Sequence, residues 1–132
     1  MGQNVQRVIG AVAIGFGVLT LISGSSVLFG GEAISAMAGE VVHGILWFNT
    51  LSSVVYVLAG LCIFRGGRHA RALATGLALA LAIAAMGLAA HIATGGAYEG
   101  RTVGAMALRL GFWLAIAVWL WRRAADGARP AA

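Results

Sequence analysis

Apolar residues run along this chain in four long blocks, and the short segments between them hold most of its charges. The blocks cover residues 8–29, 41–64, 72–93 and 103–121, each of roughly 19 to 24 residues. About 20 helical residues, at ~1.5 Å each, cross the hydrocarbon of a bilayer. Strands are disfavoured, because the third block is mostly Ala and Leu and none shows the apolar-polar alternation of a barrel strand. Backbone amides in lipid must be paired within their own segment, so blocks of this length become helices. The pattern predicts an all-α protein, a four-helix transmembrane bundle, in one membrane domain over residues 1–132.

Composition agrees with that reading. The 132 residues are 61% hydrophobic and 10% charged, and the mean hydropathy is +0.93. A soluble domain carries about 25% charged residues. The single cysteine, Cys62, excludes an internal disulfide and a paired-cysteine metal or redox motif. Pro130 is the only proline and interrupts no block.

All nine basic residues are arginines, and their distribution predicts the topology. Arg7 precedes the first block, Arg65, Arg68 and Arg71 lie between the second and third, and Arg122 and Arg123 close the fourth. Residues 30–40 carry only acids, Glu32 and Glu40. The protein is expected to be multi-pass, and the positive-inside rule places both termini and the 65–71 loop in the cytoplasm. The net charge of +5 needs no nucleic acid to explain it; the expected partners are the lipid bilayer and, beyond it, other membrane subunits or a second copy of the chain. Arg7 and the later Ala36-Met37-Ala38 would suit a cleaved leader. The first block is longer than the apolar part of a leader and ends well before that site, so four retained helices are expected.

Two rows of small residues stand out. Gly10, Ala13, Gly17, Thr20 and Gly24 form one on the first helix; Gly76, Ala80, Ala84 and Gly87, leading to His91, form one on the third. Such rows let membrane helices approach closely. Asn49, Ser53 and Tyr56 share a face of the second helix, where hydrogen bonding to a neighbouring helix accounts for them.

The chemistry gathers at the predicted outer end. Glu40, His43, Trp47 and Thr50 share a face of the second helix, and His91 ends the small row of the third. Tyr98, Glu99 and Arg101 belong to the last loop. Arg109 lies inside the fourth block: the run beyond it is too short to span ~30 Å of hydrocarbon. An intramembrane charge is usually paired and functional, so Arg109 is expected to meet an acid or a loop carbonyl.

Three ligands fit this set. Glu40, His43 and His91 could hold a metal, since a Glu-x-x-His pair on a helix recurs as a ligand arrangement in bundle cores. His43 and His91 could be axial haem ligands. A quinone or another small amphiphile could be held by His and Arg side chains against Trp47, Tyr98 and Trp113; Glu99 belongs to the same candidate ligand set. The rival from another class is a structural or assembly subunit whose polar cluster only fixes helix packing. Phosphate-loop, dinucleotide, zinc-protease and hydrolase motifs are absent, so no catalytic residue is assigned.

The segment AGLCIFRGGRHARALATGLALALAIAAMGLAAHIATGG, residues 59–96, combines a short basic turn with an Ala/Leu helix ending in His and glycines. In this it resembles the small four-helix bacterial membrane proteins of the DoxX-like group. Some members are linked to quinone-dependent sulfur oxidation, so the resemblance implies a redox-accessory role and carries over no catalytic motif.

Overall fold

A computed structural model describes residues 2–39 and 42–128. These form five helices: α1 (Gly2–Phe29), α2 (Glu32–Ala38), α3 (His43–Phe64), α4 (Ala70–Ala93) and α5 (Gly100–Gly127), with no strand among the described residues. Four of the five are long and apolar enough to cross a membrane. The protein is a multi-pass, all-helical membrane protein.

Three of the four long helices end where the apolar blocks end, at Phe29, Phe64 and Ala93. The first and last helices outrun their blocks, α1 back to Gly2 and α5 on to Gly127. Loss of hydrophobicity marks the membrane surface and does not stop a helix: Gln3, Gln6, Arg122, Arg123 and Ala124 are compatible with helical backbone in water. The stops are made by glycine. Gly66 (φ 71) and Gly95 (φ 82) occupy the left-handed conformation just past α3 and α4. Gly67 N–H donates to the Cys62 carbonyl at 2.7 Å and Gly96 N–H to the His91 carbonyl at 2.9 Å. These are paired Schellman closures, which satisfy carbonyls that would otherwise face the membrane boundary unpaired.

The short helix α2 lies in a segment expected to be a loop. Gly31 (φ 87) and Gly39 (φ 76) flank it, and EAISAMA between them is rich in helix formers, with Glu32 in the first turn. Ile34 and Met37 are exposed on it, as is Phe29 just before it. An exposed apolar face of this kind suits the bilayer interface.

The long helices run antiparallel to their chain neighbours, and α1 and α3 make the closest pair. Gly10, Ala13, Gly17, Thr20 and Gly24 are the buried residues of α1, the row expected from the sequence. A Cβ on Gly10 would sit 2.6 Å from the Phe64 backbone nitrogen, and one on Gly60 2.8 Å from that of Ile14. Gly17 meets Tyr56 and Val57, and Gly24 meets Thr50. Here backbone touches backbone, the contact through which membrane helices associate without a hydrophobic driving force.

The small row of α4 behaves differently. Gly76 and Gly87 are exposed, and a Cβ on either would meet nothing within 4 Å. The inward face of α4 is Ala70, Ala74, Leu77, Ala78, Leu81 and Leu88. Larger side chains on α3 and α5 suit a leucine face, so the expected tight packing along Gly76–Gly87 does not form. Aromatic rings fill the centre instead: Tyr56 and Trp113 are both fully buried with centroids 5.2 Å apart, and Phe16 packs against Phe112 at 4.7 Å.

The basic ends of α1, α3 and α5 meet at one end of the bundle. Gln6 Nε2 donates to the Ile63 carbonyl at 2.8 Å, and Arg123 Nη1 donates to Gln6 Oε1 at 3.0 Å and to the Gly2 carbonyl at 3.2 Å. Helix α2 and the 94–99 loop occupy the opposite end.

Candidate functional site

Helix α3 turns a polar face inward. Asn49, Thr50, Ser52 and Ser53 are all buried, alongside Tyr56, while Leu51, Val54 and Leu58 are exposed. This inversion of a soluble protein's pattern is what a lipid solvent selects. Several of the hydroxyls are absorbed locally: Thr50 donates to the Leu46 carbonyl at 2.8 Å, Ser52 to that of Phe48 and Ser53 to that of Thr50. These bonds run back along α3 and so cannot tie it to a neighbour.

Among the described residues, four buried polar atoms are left without a hydrogen bond: Asn49 Oδ1, Tyr56 Oη, Arg109 Nε and Trp113 Nε1. The Tyr56 hydroxyl faces Ser52 and Arg109, but no hydrogen bond of acceptable geometry forms. Each unmet buried group costs about 1–3 kcal/mol. They come from two helices: Asn49 and Tyr56 are two turns apart on α3, and Arg109 and Trp113 one turn apart on α5.

Arg109 and Asn49 also line a cavity of about 250 Å³ between α1, α3 and α5. Thr20 and Ser23 of α1 and Arg101 and Thr102 of α5 complete its polar lining. It carries two guanidinium groups and no carboxylate among the described lining residues. Arg101 Nη2 donates to the Met37 carbonyl at 3.1 Å, which ties α2 to the start of α5 beside the cavity. The lining offers donors from three sides, and so suits a ligand oxygen carrying negative charge.

The expected site residues are distributed otherwise. Arg109 is half-buried and inside the helical bundle, as its place in the fourth block requires, but no acid or carbonyl partner meets its Nε. Glu99 precedes α5 and lies against Gly39, whose added Cβ would be 2.7 Å from its carboxyl carbon; its carboxylate is not free. His91 turns over its own loop: Nε2 is 3.0 Å from the Ala97 carbonyl, and the ring fills the space beside Gly96. His43 is exposed at the start of α3. Trp47 and Tyr98 are each 45% exposed, and Trp47 packs edge-on against Phe29 at 6.1 Å. The row through His43 and Trp47 therefore faces outward, and the face through Asn49 and Tyr56 faces in. Glu40 lies outside the described residues. Among the described residues, no three His, Cys, Asp or Glu side chains come together as metal ligands.

The chain matches no known protein family, no curated protein and no solved structure.

Proposed function

We propose that the protein is a ligand-binding protein of the bacterial inner membrane. Its termini are cytoplasmic, and it receives a small anion, or the anionic group of a larger molecule, in the cavity between α1, α3 and α5. The observation that carries this reading is the lining: Arg101 and Arg109 with Asn49, Thr20, Ser23 and Thr102, and no described carboxylate. A charge at membrane depth is costly, at least ~2.5–3.5 kcal/mol at mid-bilayer, and no described carboxylate lines the cavity to offset it. A bound anion would offset that cost. The orientation rests on the arginine distribution.

A quinone is the second reading. Its carbonyl oxygens would accept from the same guanidinium groups. The DoxX-like resemblance points the same way, although residues 59–96 contain none of the polar lining.

The test is calorimetric titration of the purified protein in a nonionic detergent with inorganic phosphate, short carboxylates and a short-chain quinone. Saturable anion binding is expected, weakened about 10- to 100-fold in Arg109→Gln, the loss of one charge-assisted bond. Preferential quinone binding would select the second reading. Absence of any binding, with Arg109→Gln merely less stable, would reduce the cluster to helix packing and overturn both.

A further inference from the structure

A second basic site lies at the other end of the bundle, and nothing in the proposed ligand cavity uses it. Gln3, Gln6, Arg7, Arg65 and Arg123 line a depression of about 560 Å³ beside Phe64. Three helix ends contribute to it, and the Gln6–Ile63 and Arg123–Gln6 bonds hold them in register. Both contacts of Arg123 are made by Nη1, on a group with five N–H donors. Segments 2–7, 65–71 and 122–128 contain six arginines and one acid, Asp126. The local field is therefore strongly positive even with Asp126 engaged.

Next to the depression, an apolar groove of about 320 Å³ runs between α1 and α5, lined by Val8, Ile9, Val12, Phe112, Ile116 and Trp119. The two lie side by side and share no lining residue. Val8 follows Arg7 on α1, and the Arg123 guanidinium lies over the Trp119 ring at 5.0 Å. Arg71 covers Trp121 in the same way at 4.5 Å, and Trp121 Nε1 donates to Thr75 at 3.0 Å. Interfacial tryptophans beneath arginines mark the depth at which head groups lie. A cationic cup at head-group depth, beside an apolar channel at acyl-chain depth, has the two-part chemistry of one kind of molecule.

We infer that this end of the bundle binds an anionic glycerophospholipid, its phosphate among Arg7, Arg65 and Arg123 and an acyl chain along the α1–α5 groove. Arginine suits the head because its planar fork meets phosphate oxygens in pairs. The groove accounts for the preference for a lipid over a free phosphate. The site is a structural clasp: it joins α1 and α5, the first and last helices.

The experiment compares the purified, delipidated protein in nonionic detergent supplemented with phosphatidylglycerol, phosphatidylcholine or glycerol phosphate. Retained lipid is counted by native mass spectrometry, and unfolding is followed by heat. Phosphatidylglycerol is expected to bind and raise the melting temperature. Affinity should fall about fivefold for each of Arg7→Gln, Arg65→Gln and Arg123→Gln, and Val12→Trp, which fills the groove, should also weaken retention. Arg68→Gln, on the same loop but outside the cup, should leave binding unchanged. Equal loss in Arg68→Gln would reduce the effect to net charge and overturn the site. Equal protection by glycerol phosphate would remove the groove from the account, and equal retention of phosphatidylcholine would remove the cup.

Discussion

Placing a methyl group at Gly10 should separate the two helices of the tightest pair, whereas the same change at Gly15, five residues along, should not. At Gly10 the new Cβ lies 2.6 Å from a backbone nitrogen and 2.7 Å from the Cα of Phe64. Ordinary contact begins near 3.4 Å, so the helices must part locally by 3.4 − 2.6 = 0.8 Å. No side-chain rotation relieves this, because the obstruction is backbone. At Gly15 an added Cβ meets nothing within 4 Å. Both variants gain the same helical preference of alanine over glycine, about 0.5–1 kcal/mol, so their difference isolates the packing term. Overpacking of this size costs about 1–3 kcal/mol, and Gly10→Ala should be less stable than Gly15→Ala by that amount. Reversible unfolding in mixed micelles, followed by tryptophan fluorescence, measures it, with Trp113 as a fully buried reporter. Gly60→Ala should cost a similar amount, and the double variant less than the sum, because one parting of the helices admits both methyl groups. Equal stability of Gly10→Ala and Gly15→Ala would refute the backbone-contact account of the pair.

Three further outcomes are expected. Asn49→Leu should keep or raise stability, by up to ~1–3 kcal/mol, since it removes an unmet buried amide; anion titration of the same variant should show weakened binding. His91→Ala should lower stability by about 0.5–1.5 kcal/mol through loss of the Ala97 contact, and native mass spectrometry should find its metal and haem content unchanged from wild type. Cysteines at Ala33 and Ala97 should react with an impermeant reagent from outside intact cells and one at Arg68 only after lysis; external reaction at Arg68 would invert the topology.

The helical blocks and the α1 seam were legible because burial in lipid leaves a simple record: long apolar stretches and a period of small residues. Gly10–Gly24 could be read as a contact because nothing else on α1 competes for that face. The α4 row from Gly76 to Gly87 has the same spelling and a different fate, since Leu77, Leu81 and Leu88 offer a rival inward face, and composition cannot rank the two. The polar chemistry was harder to place for a related reason. His43, His91 and Glu99 attract attention by their chemistry, but helix ends and loops leave side chains free to turn toward solvent or their own backbone. Asn49, Ser53 and Tyr56 were read as helix-linking groups, yet the Ser53 hydroxyl turns back onto α3, and the Asn49 amide oxygen and the Tyr56 hydroxyl find no partner. The signal that connects them to the cavity is periodic: Thr102, Met106, Arg109 and Trp113 repeat at 4, 3 and 4 on α5, which sets Arg109 on the inward face with two of the most buried side chains. Helix α2 escaped because seven residues carry too short a pattern to distinguish from a loop.

The α1–α3 seam also bears on how the chain is put together in the membrane. The two helices are consecutive spans, separated only by the segment 30–42 that contains α2, and all of their mutual glycine contacts lie within residues 10–64. As the chain is synthesised, this hairpin can close before α4 and α5 have left the ribosome. Once closed, it holds Asn49 and Tyr56 beside α1 with their α5 side still uncovered, open to whatever the insertion machinery provides. Helix α5 is the last to arrive, and it carries Arg109 and Trp113 to that face. Helix α5 also carries the costliest residue of the four spans, and its docking partner is already formed when it enters. Insertion of α5 should therefore depend on the completed hairpin, so that the N-terminal half acts as the template for the C-terminal half.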